Sequence, residues 1–141
     1  MTTVFESSAT NKGGRNGHVT SESGLIDLDC KMPKSNKDKS DTHTNPEELF
    51  AAAYSTCFGG ALEHVAKEQD LGDLGDFSVT ATIGFVIDED GVIIEATLDC
   101  YLPTLDKEAG ENLINDAHEI CPYSRATRDN IDVTLNLLVD A

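Results

Sequence analysis

The residues of this 141-residue chain best able to do covalent chemistry are its four cysteines, at positions 30, 57, 100 and 121. An ionised thiol is a strong nucleophile, and it can be oxidised reversibly to a sulfenic acid or a disulfide. The chain has no Cys-x-x-Cys pair, which disfavours a zinc ribbon. Each cysteine must therefore be judged by its own local sequence.

Cys30 and Cys100 lie in segments where apolar and polar residues alternate. Cys30 shares an apolar face with Ile26 and Leu28, and Cys100 shares one with Ile94 and Leu98. Alternation of this kind is typical of a half-buried strand. We therefore expect both cysteines to be small buried hydrophobes without chemical function.

Cys57 and Cys121 have more unusual surroundings. Cys57 is followed by Phe58 and two glycines inside a predicted helix, and each helical glycine costs about 1 kcal/mol relative to alanine. Such a cost suggests that another backbone or a substrate comes close, although a packed, inert cysteine is the alternative.

Cys121 directly precedes Pro122. If its side chain caps the next turn, the amides there lower the thiol pKa, with Arg125 and Arg128 adding positive charge. The alternative is a helix-terminal cysteine with no role.

Two other arrangements of these residues remain open at the level of sequence. Cys57, His64, His118 and Cys121 could together form a zinc site. A Cys–His hydrolase could instead pair Cys57 with His18, His64 or His118. The absence of close cysteine pairs argues against the first, and the absence of a strained strand-to-helix turn at Cys57 argues against the second.

A long helix is predicted to carry Cys57. Asn45 can cap it, Pro46 suits the first helical position, and the helix extends to about Gln69. Its middle, residues 51–62, has no charged residue on any face. A helix without a charged face is expected to be covered by other elements on all sides, so we expect this helix to lie at the centre of the fold.

The other predicted elements are mostly strands joined by turns. They are strands at 2–7, 18–21 and 26–32, a hairpin over 77–102 with its turn at 88–91, a helix over 106–120, a short helical turn over 123–128, and a last strand over 131–139. This order predicts an α+β fold in which antiparallel sheets cover a long helix. The length favours one domain over residues 1–141.

The charge distribution narrows the classes of partner. The formal net charge is −16, and residues 46–141 hold four basic and 20 acidic groups. Such a surface repels a phosphate backbone, so nucleic-acid binding is not expected. No apolar run approaches the ~20 residues of a membrane span, and the first residues do not resemble a signal peptide. We predict a cytoplasmic protein with no membrane partner.

Two long segments resemble the signatures of a known family. Residues 44–58, Thr-Asn-Pro-Glu-Glu-Leu-Phe-Ala-Ala-Ala-Tyr-Ser-Thr-Cys-Phe, resemble the first signature of the organic hydroperoxide resistance proteins within the OsmC/Ohr superfamily. Residues 117–124 and 126–133 resemble the second, and Gly13-Gly14-Arg15-Asn16-Gly17 resembles the loop that holds that family's functional arginine. The match spans nearly the whole chain.

The resemblance implies a thiol peroxidase that reduces alkyl or fatty-acid hydroperoxides. By position, Cys57 is implied to be the peroxidatic cysteine and Cys121 the resolving one, with Arg15 and Glu47 as the activating pair. The implied assembly is an intertwined homodimer with two active sites at its interface. The implied reductant is a dithiol on a lipoylated protein, and no cofactor or metal is expected.

The chain departs from the family pattern at two places. Residues 34–44 are polar and contain lysines where a glycine-rich stretch is often found, and Arg125 replaces a small polar residue. Two other classes of function also stay open: a redox sensor that signals through a Cys57–Cys121 disulfide, and a lipid- or ligand-binding module without turnover.

Overall fold

The computed structural model describes all residues, Met1–Ala141, and divides into two compact units, Met1–Leu49 and Phe50–Ala141. The strands are β1 (Ala9–Lys12), β2 (His18–Ser21), β3 (Asp27–Cys30), β4 (His43–Thr44), β5 (Ser78–Asp88), β6 (Gly91–Tyr101) and β7 (Val133–Leu138). The helices are α1 (Pro46–Glu68), α2 (Lys107–Ile120) and α3 (Pro122–Thr127). The α+β class is confirmed. No helix is both long enough and apolar enough to cross a membrane.

The first unit holds a four-stranded sheet in the order β1-β2-β3-β4. The prediction of a first strand at residues 2–7 is wrong, because β1 begins only at Ala9. The strand instead includes Asn11 and Lys12, which pair with Val19 and His18 of β2. Backbone hydrogen bonds from the neighbouring strand therefore outweigh the turn preference of Asn11, and the turn shrinks to residues 13–17.

This tight turn contains Arg15 in a short 3-10 segment, Gly14–Asn16. Gly13 has φ 87° and Gly14 φ 69°, a left-handed conformation that glycine adopts without strain. A Cβ on Gly17 would overlap the carbonyl oxygen of Lys12. The Asn11 side chain also accepts a hydrogen bond from the Gly14 N–H at 2.9 Å. The loop is therefore a fixed turn that holds Arg15 in a defined position.

The second unit contains a three-stranded sheet in the order β5-β6-β7. The predicted hairpin is confirmed, with Asp88 opposite Gly91 at its turn and Ser78 opposite Tyr101 at its base. β7 pairs with β6 in parallel, and in the first unit β4 likewise pairs with β3 in parallel. Both sheets are therefore mixed rather than purely antiparallel. Alternation predicts which residues form strands, but it does not fix the direction in which a returning strand pairs.

The start and end of α1 lie within one residue of those predicted from the sequence. Asn45 Oδ1 accepts a hydrogen bond from the Glu48 N–H at 2.8 Å, which is the expected cap. One face of the helix enters the core of the second unit through Tyr54, Phe58 and Leu62, all with no exposed surface.

The opposite face of α1 is open in a single chain. Ala52, Thr56 and Gly60 follow one another at intervals of four residues and are exposed. The expectation that this helix is covered all round is therefore not met within one chain. This face becomes important when the assembly of the protein is considered.

The helices α2 and α3 meet at a sharp bend. Asp106 caps the start of α2, because its side chain accepts a hydrogen bond from the Ala109 N–H. The helix buries Leu113, Ile114 and Ala117. Cys121 stands between the two helices with φ −58° and ψ 123°. Because Pro122 disfavours helical geometry at the residue before it, the chain bends at Cys121. We call residues 118–124 the elbow.

Candidate functional site

Two of the four cysteines lie side by side in the second unit. The sulfur atoms of Cys57 and Cys121 are 3.7 Å apart although 64 residues separate them in sequence. Cys121 is fully buried and Cys57 is half-buried. All four cysteines are free thiols. A disulfide has an S–S distance of about 2.05 Å, so once one sulfur has been oxidised, only a small approach is needed to form the bond.

The structure corrects the expected role of the Cys121 side chain. The backbone of Cys121 stands at the N-cap position of α3, but its side chain makes no capping hydrogen bond. The sulfur instead lies against Cys57.

The surroundings of Cys57 disfavour its thiolate. Burial raises the pKa of the Cys57 thiol, and the adjacent Cys121 raises it further. A hydrogen bond from the backbone of Tyr123 lowers the pKa but does not outweigh the burial. Within this unit, Cys57 therefore lacks the positive charge that a reactive thiolate needs.

Two aromatic rings of α1 and one of α3 form a cluster beside the thiols. The ring centroids of Phe50, Tyr54 and Tyr123 are 5.8–6.1 Å apart and meet at steep angles. Tyr54 is buried, whereas Tyr123 reaches the surface. The thiol pair is therefore accompanied by an apolar aromatic surface.

The first unit contains the other two predicted site residues, Arg15 and Glu47. The guanidinium of Arg15 donates to both carboxylate oxygens of Glu47, Nη1 to Oε2 at 3.0 Å and Nη2 to Oε1 at 2.8 Å. This hydrogen-bonded pair holds the pKa of Glu47 below its usual value and raises that of Arg15. Both groups are charged at neutral pH, and the paired carboxylate fixes the direction of the guanidinium fork.

The alternative uses of the histidines find no support. His64 lies 3.2 Å from Glu68, and His18 lies between Asp27 and Asp29. The Nδ1 atom of His118 lies 2.8 Å from the Ser124 hydroxyl rather than from a thiol. No group of three or more His, Cys, Asp or Glu side chains is arranged to hold a metal ion.

The arginines after Cys121 do not act on it as the sequence suggested. Arg128 donates from Nη2 to the His118 carbonyl at 2.6 Å, so it caps the end of α2. Arg125 lies on an exposed position of α3. The guanidinium of Arg128 therefore binds a backbone carbonyl at the bend rather than the Cys121 sulfur.

Sequence reasoning missed a buried chain of hydrogen bonds next to the thiols. It joins Tyr54 of α1 to Ser124 and Thr127 of α3, with Oη–Oγ distances of 2.9 and 3.2 Å, and continues from Ser124 to His118. We call His118, Ser124, Tyr54 and Thr127 the hydroxyl network. The spacing was a usable signal, because Tyr54 precedes Cys57 by three residues, and His118 and Ser124 flank Cys121 at three residues on either side.

Fold and site together define a dithiol protein of the α+β class, with one thiol on a long helix and the other at a buried helix–helix bend. Comparison with known proteins gives the family. Residues 37–136 match the family described as OsmC-like protein. The organic hydroperoxide resistance protein OhrB of Bacillus subtilis is 48% identical over 136 residues, which cover 95% of this chain and 98% of that protein.

Further relatives agree with this match. The organic hydroperoxide resistance protein of Xanthomonas axonopodis pv. citri is 38% identical, over 95% of this chain and 94% of that protein. The crystal structure of Bacillus subtilis OhrB superposes with a TM-score of 0.88 and 46% identity, covering 96% of this chain and 100% of that one. The chain belongs to the organic hydroperoxide resistance proteins of the OsmC/Ohr superfamily.

The different environments of the cysteines predict their reactivity. Burial raises the pKa of Cys100 to about 12, so its thiolate is scarce at pH 8, whereas Cys57 is half-exposed. Iodoacetamide at pH 8 should therefore modify Cys57 in the native protein and leave Cys100 unmodified until the chain unfolds. Peptide mass spectrometry with and without denaturant measures both. Native-state modification of Cys100 as fast as Cys57 would contradict the assigned burial.

Proposed function

We propose that this protein provides resistance to organic hydroperoxides by reducing them to alcohols, using Cys57 as the peroxidatic and Cys121 as the resolving cysteine. The observation that carries the proposal is the 3.7 Å approach of the two free sulfur atoms. The names of the relatives support the class of substrate. The rings of Phe50 and Tyr123, which pack on the buried ring of Tyr54, supply the apolar surface that an alkyl or fatty-acid group prefers.

The first step is an attack by the Cys57 thiolate on the terminal oxygen of the hydroperoxide. The O–O bond breaks, the alkoxide leaves and takes a proton to become the alcohol, and Cys57 becomes a sulfenic acid. Cys121 then attacks the Cys57 sulfur. The S–O bond breaks, water leaves, and a disulfide forms. A dithiol, which we propose is carried by a lipoylated protein, reduces this disulfide and restores the two thiols.

The first step requires a positive charge that Cys57 lacks within its own unit. Burial raises the pKa of Cys57, and we propose that Arg15 reverses this effect. A guanidinium is always charged, and its planar fork can bind a sulfur and a peroxide oxygen together. Glu47 would hold Arg15 in place through the paired hydrogen bonds.

We further propose that this activation occurs in a homodimer. Glu47 and Cys57 are ten residues apart on α1, which corresponds to about 15 Å of helix rise. A guanidinium held on Glu47 is therefore suited to a thiol on a second copy of the chain. The open face of α1 provides a surface for that copy, because a Cβ built on Gly60 meets nothing within 4 Å in its own chain.

Apolar residues at the tip of the β5–β6 hairpin support the same assembly. Ile87 is 80% exposed and Val92 is 55% exposed, and these residues flank a turn that extends beyond the buried core. Contiguous exposed apolar surface commonly marks an interface. A second copy that covers both the helix face and the hairpin tip would also meet the expectation that α1 is covered all round.

Turnover with a small dithiol tests the proposed enzyme directly. Cys57→Ser should lose peroxidase activity with tert-butyl hydroperoxide, since no other thiol is placed beside a resolving cysteine. Cys100→Ser, the matched control, should keep it. Wild-type protein should also use the organic substrate faster than hydrogen peroxide. Consumption of only one equivalent by wild-type protein would favour the redox sensor, and no consumption would favour the ligand-binding module.

Arg15→Ala should raise the pKa of Cys57 and slow its reaction with hydroperoxide by about 10²-fold or more, as expected when a charged transition-state donor is removed. Arg15→Lys should restore part of the rate, because an ammonium keeps the charge but lacks the planar fork. Glu47→Ala should slow the reaction less, since Arg15 is loosened but still present. Alkylation of Cys57 as a function of pH measures the thiol in each variant.

Co-expression of two inactive variants distinguishes the source of the guanidinium. A mixed dimer of Arg15→Ala and Cys57→Ser chains contains one site with an intact thiol and an arginine from the other copy. Such a preparation should regain activity if Arg15 acts across the dimer.

In the pH titration of the single variant, an unchanged pKa of Cys57 in Arg15→Ala would show that Arg15 is a turn residue without a role in activation.

Gly60→Leu tests the dimer interface on α1. Leucine has a higher helix propensity than glycine by nearly 1 kcal/mol, so the fold of a single chain should not suffer. The larger side chain should nevertheless block close approach of a second copy, and light scattering after gel filtration should show a shift from dimer to monomer. Asn112→Leu, on an exposed position of α2, should remain dimeric. A dimeric Gly60→Leu variant would place the interface elsewhere.

A further inference from the structure

The hydroxyl network connects the two elements that carry the thiols. Tyr54 lies three residues before Cys57 on α1, and Ser124 lies three residues after Cys121 on α3. Both side chains are fully buried, and their hydroxyl oxygens are 2.9 Å apart. This buried hydrogen bond, together with the one from Tyr54 to Thr127, links α1 to α3 about one helical turn from the sulfur atoms.

The same network also joins the two ends of the elbow to each other. His118 and Ser124 lie three residues before and after Cys121, and His118 Nδ1 is 2.8 Å from Ser124 Oγ. Arg128 adds a second link across the bend through the His118 carbonyl. The bend is therefore held from both sides, and the backbone at Cys121 cannot open without breaking these bonds.

Counting hydrogens fixes the direction of every bond in the network. Thr127 Oγ1 donates its only hydrogen to the Ser124 carbonyl at 3.2 Å, so the Tyr54 hydroxyl must donate to Thr127. Ser124 Oγ then donates to Tyr54, and His118 donates from Nδ1–H to Ser124. This order uses each hydroxyl hydrogen once and leaves no contact between two acceptors. The network is thus a fully satisfied, one-directional chain, which is the condition under which buried polar groups make a core rigid.

The attack on a hydroperoxide, as proposed above, uses none of the four side chains. Their position around the elbow instead matches the second step, in which the Cys121 sulfur must reach Cys57. Burial and the Arg128 charge lower the pKa of His118, against a smaller opposing effect of Glu119, so the ring is neutral near pH 7. The hydrogen count requires a proton on Nδ1 of His118, and in the neutral ring that is the only ring proton.

We propose that the hydroxyl network of His118, Ser124, Tyr54 and Thr127 is a positioning network for the resolving step, holding the Cys121 sulfur within closing distance of Cys57. This inference rests on the proposed function for its peroxide reaction. The network touches no reacting atom. It acts by preventing the elbow from moving away from α1 before the Cys121 sulfur attacks the Cys57 sulfenic acid and water leaves.

The variant Tyr54→Phe, which removes one hydroxyl and keeps the ring, separates the attack on the hydroperoxide from the formation of the disulfide. After one equivalent of tert-butyl hydroperoxide is added, the reaction is quenched at short intervals. The loss of hydroperoxide, the sulfenic acid trapped by dimedone and the disulfide are then measured, the last two by mass spectrometry. Peroxide loss should stay within about twofold of wild type, whereas disulfide closure should slow by about tenfold or more, since small misplacement of reacting atoms has effects of this size. Sulfinic acid should then accumulate with excess hydroperoxide. Tyr101→Phe, the same change outside the network, should behave as wild type.

A pair of His118 variants provides the second arm. His118→Leu should slow closure like Tyr54→Phe, and His118→Asn should restore much of it, because the asparagine amide can donate from nearly the position of Nδ1. Closure at the wild-type rate in Tyr54→Phe and His118→Leu would overturn the inference. Equal slowing of attack and closure in both would also overturn it, since that result indicates general destabilisation.

Closure can also be measured without peroxide, which keeps this inference distinct from the proposed function. Oxidised glutathione can form a mixed disulfide at Cys57, from which Cys121 displaces glutathione with the same sulfur-to-sulfur approach. Slower displacement in Tyr54→Phe supports the network even if the wild-type protein consumes no hydroperoxide, in which case only the proposed function fails. Unchanged displacement refutes the network whatever the peroxide result.

Discussion

The approach of the Cys57 and Cys121 sulfur atoms to 3.7 Å is the constraint that the site of the second unit is built around. One cysteine lies on a long helix and the other at a bend that Pro122 imposes, so neither backbone position can shift without moving a whole element. The buried face of α1, with Tyr54 and Phe58 in the core, sets one side of the pair. The bend between α2 and α3 sets the other. Packing brings the thiols together, and hydrogen bonds across the elbow fix the distance.

The same burial creates an electrostatic problem. It removes Cys121 and part of Cys57 from solvent, but it also raises the pKa of Cys57, which opposes the ionisation on which thiol chemistry depends. We propose that a cation held by the first unit offsets this effect. Arg15 stands on a turn fixed by glycines, and its guanidinium is already oriented by two hydrogen bonds to Glu47. A preorganised cation requires little rearrangement when the charge develops.

The sequence allowed the long elements to be predicted, because their signals are local. The Asn45-Pro46 start of α1, the Asp88–Gly91 turn and the helix predicted over 106–120 each depend on neighbouring residues, and all are present. Features set by distant contacts were not predictable. The first strand lies later than expected because its pairing partner, β2, decides where it begins. The parallel pairing of β7 and the hydroxyl network depend on which elements meet in space. The site cysteines could be proposed only because two long segments resemble family signatures, since local sequence left Cys57 open between an inert and a reactive thiol.

The disulfide connectivity of the oxidised protein tests the pairing of Cys57 with Cys121 most directly. After one equivalent of tert-butyl hydroperoxide, peptide mass spectrometry without reduction should find a single disulfide joining the peptides that contain Cys57 and Cys121, with Cys30 and Cys100 still free. This linkage should lie within one chain. Two free thiols after the hydroperoxide has been consumed, or a disulfide from Cys57 to Cys30 or Cys100, would contradict it.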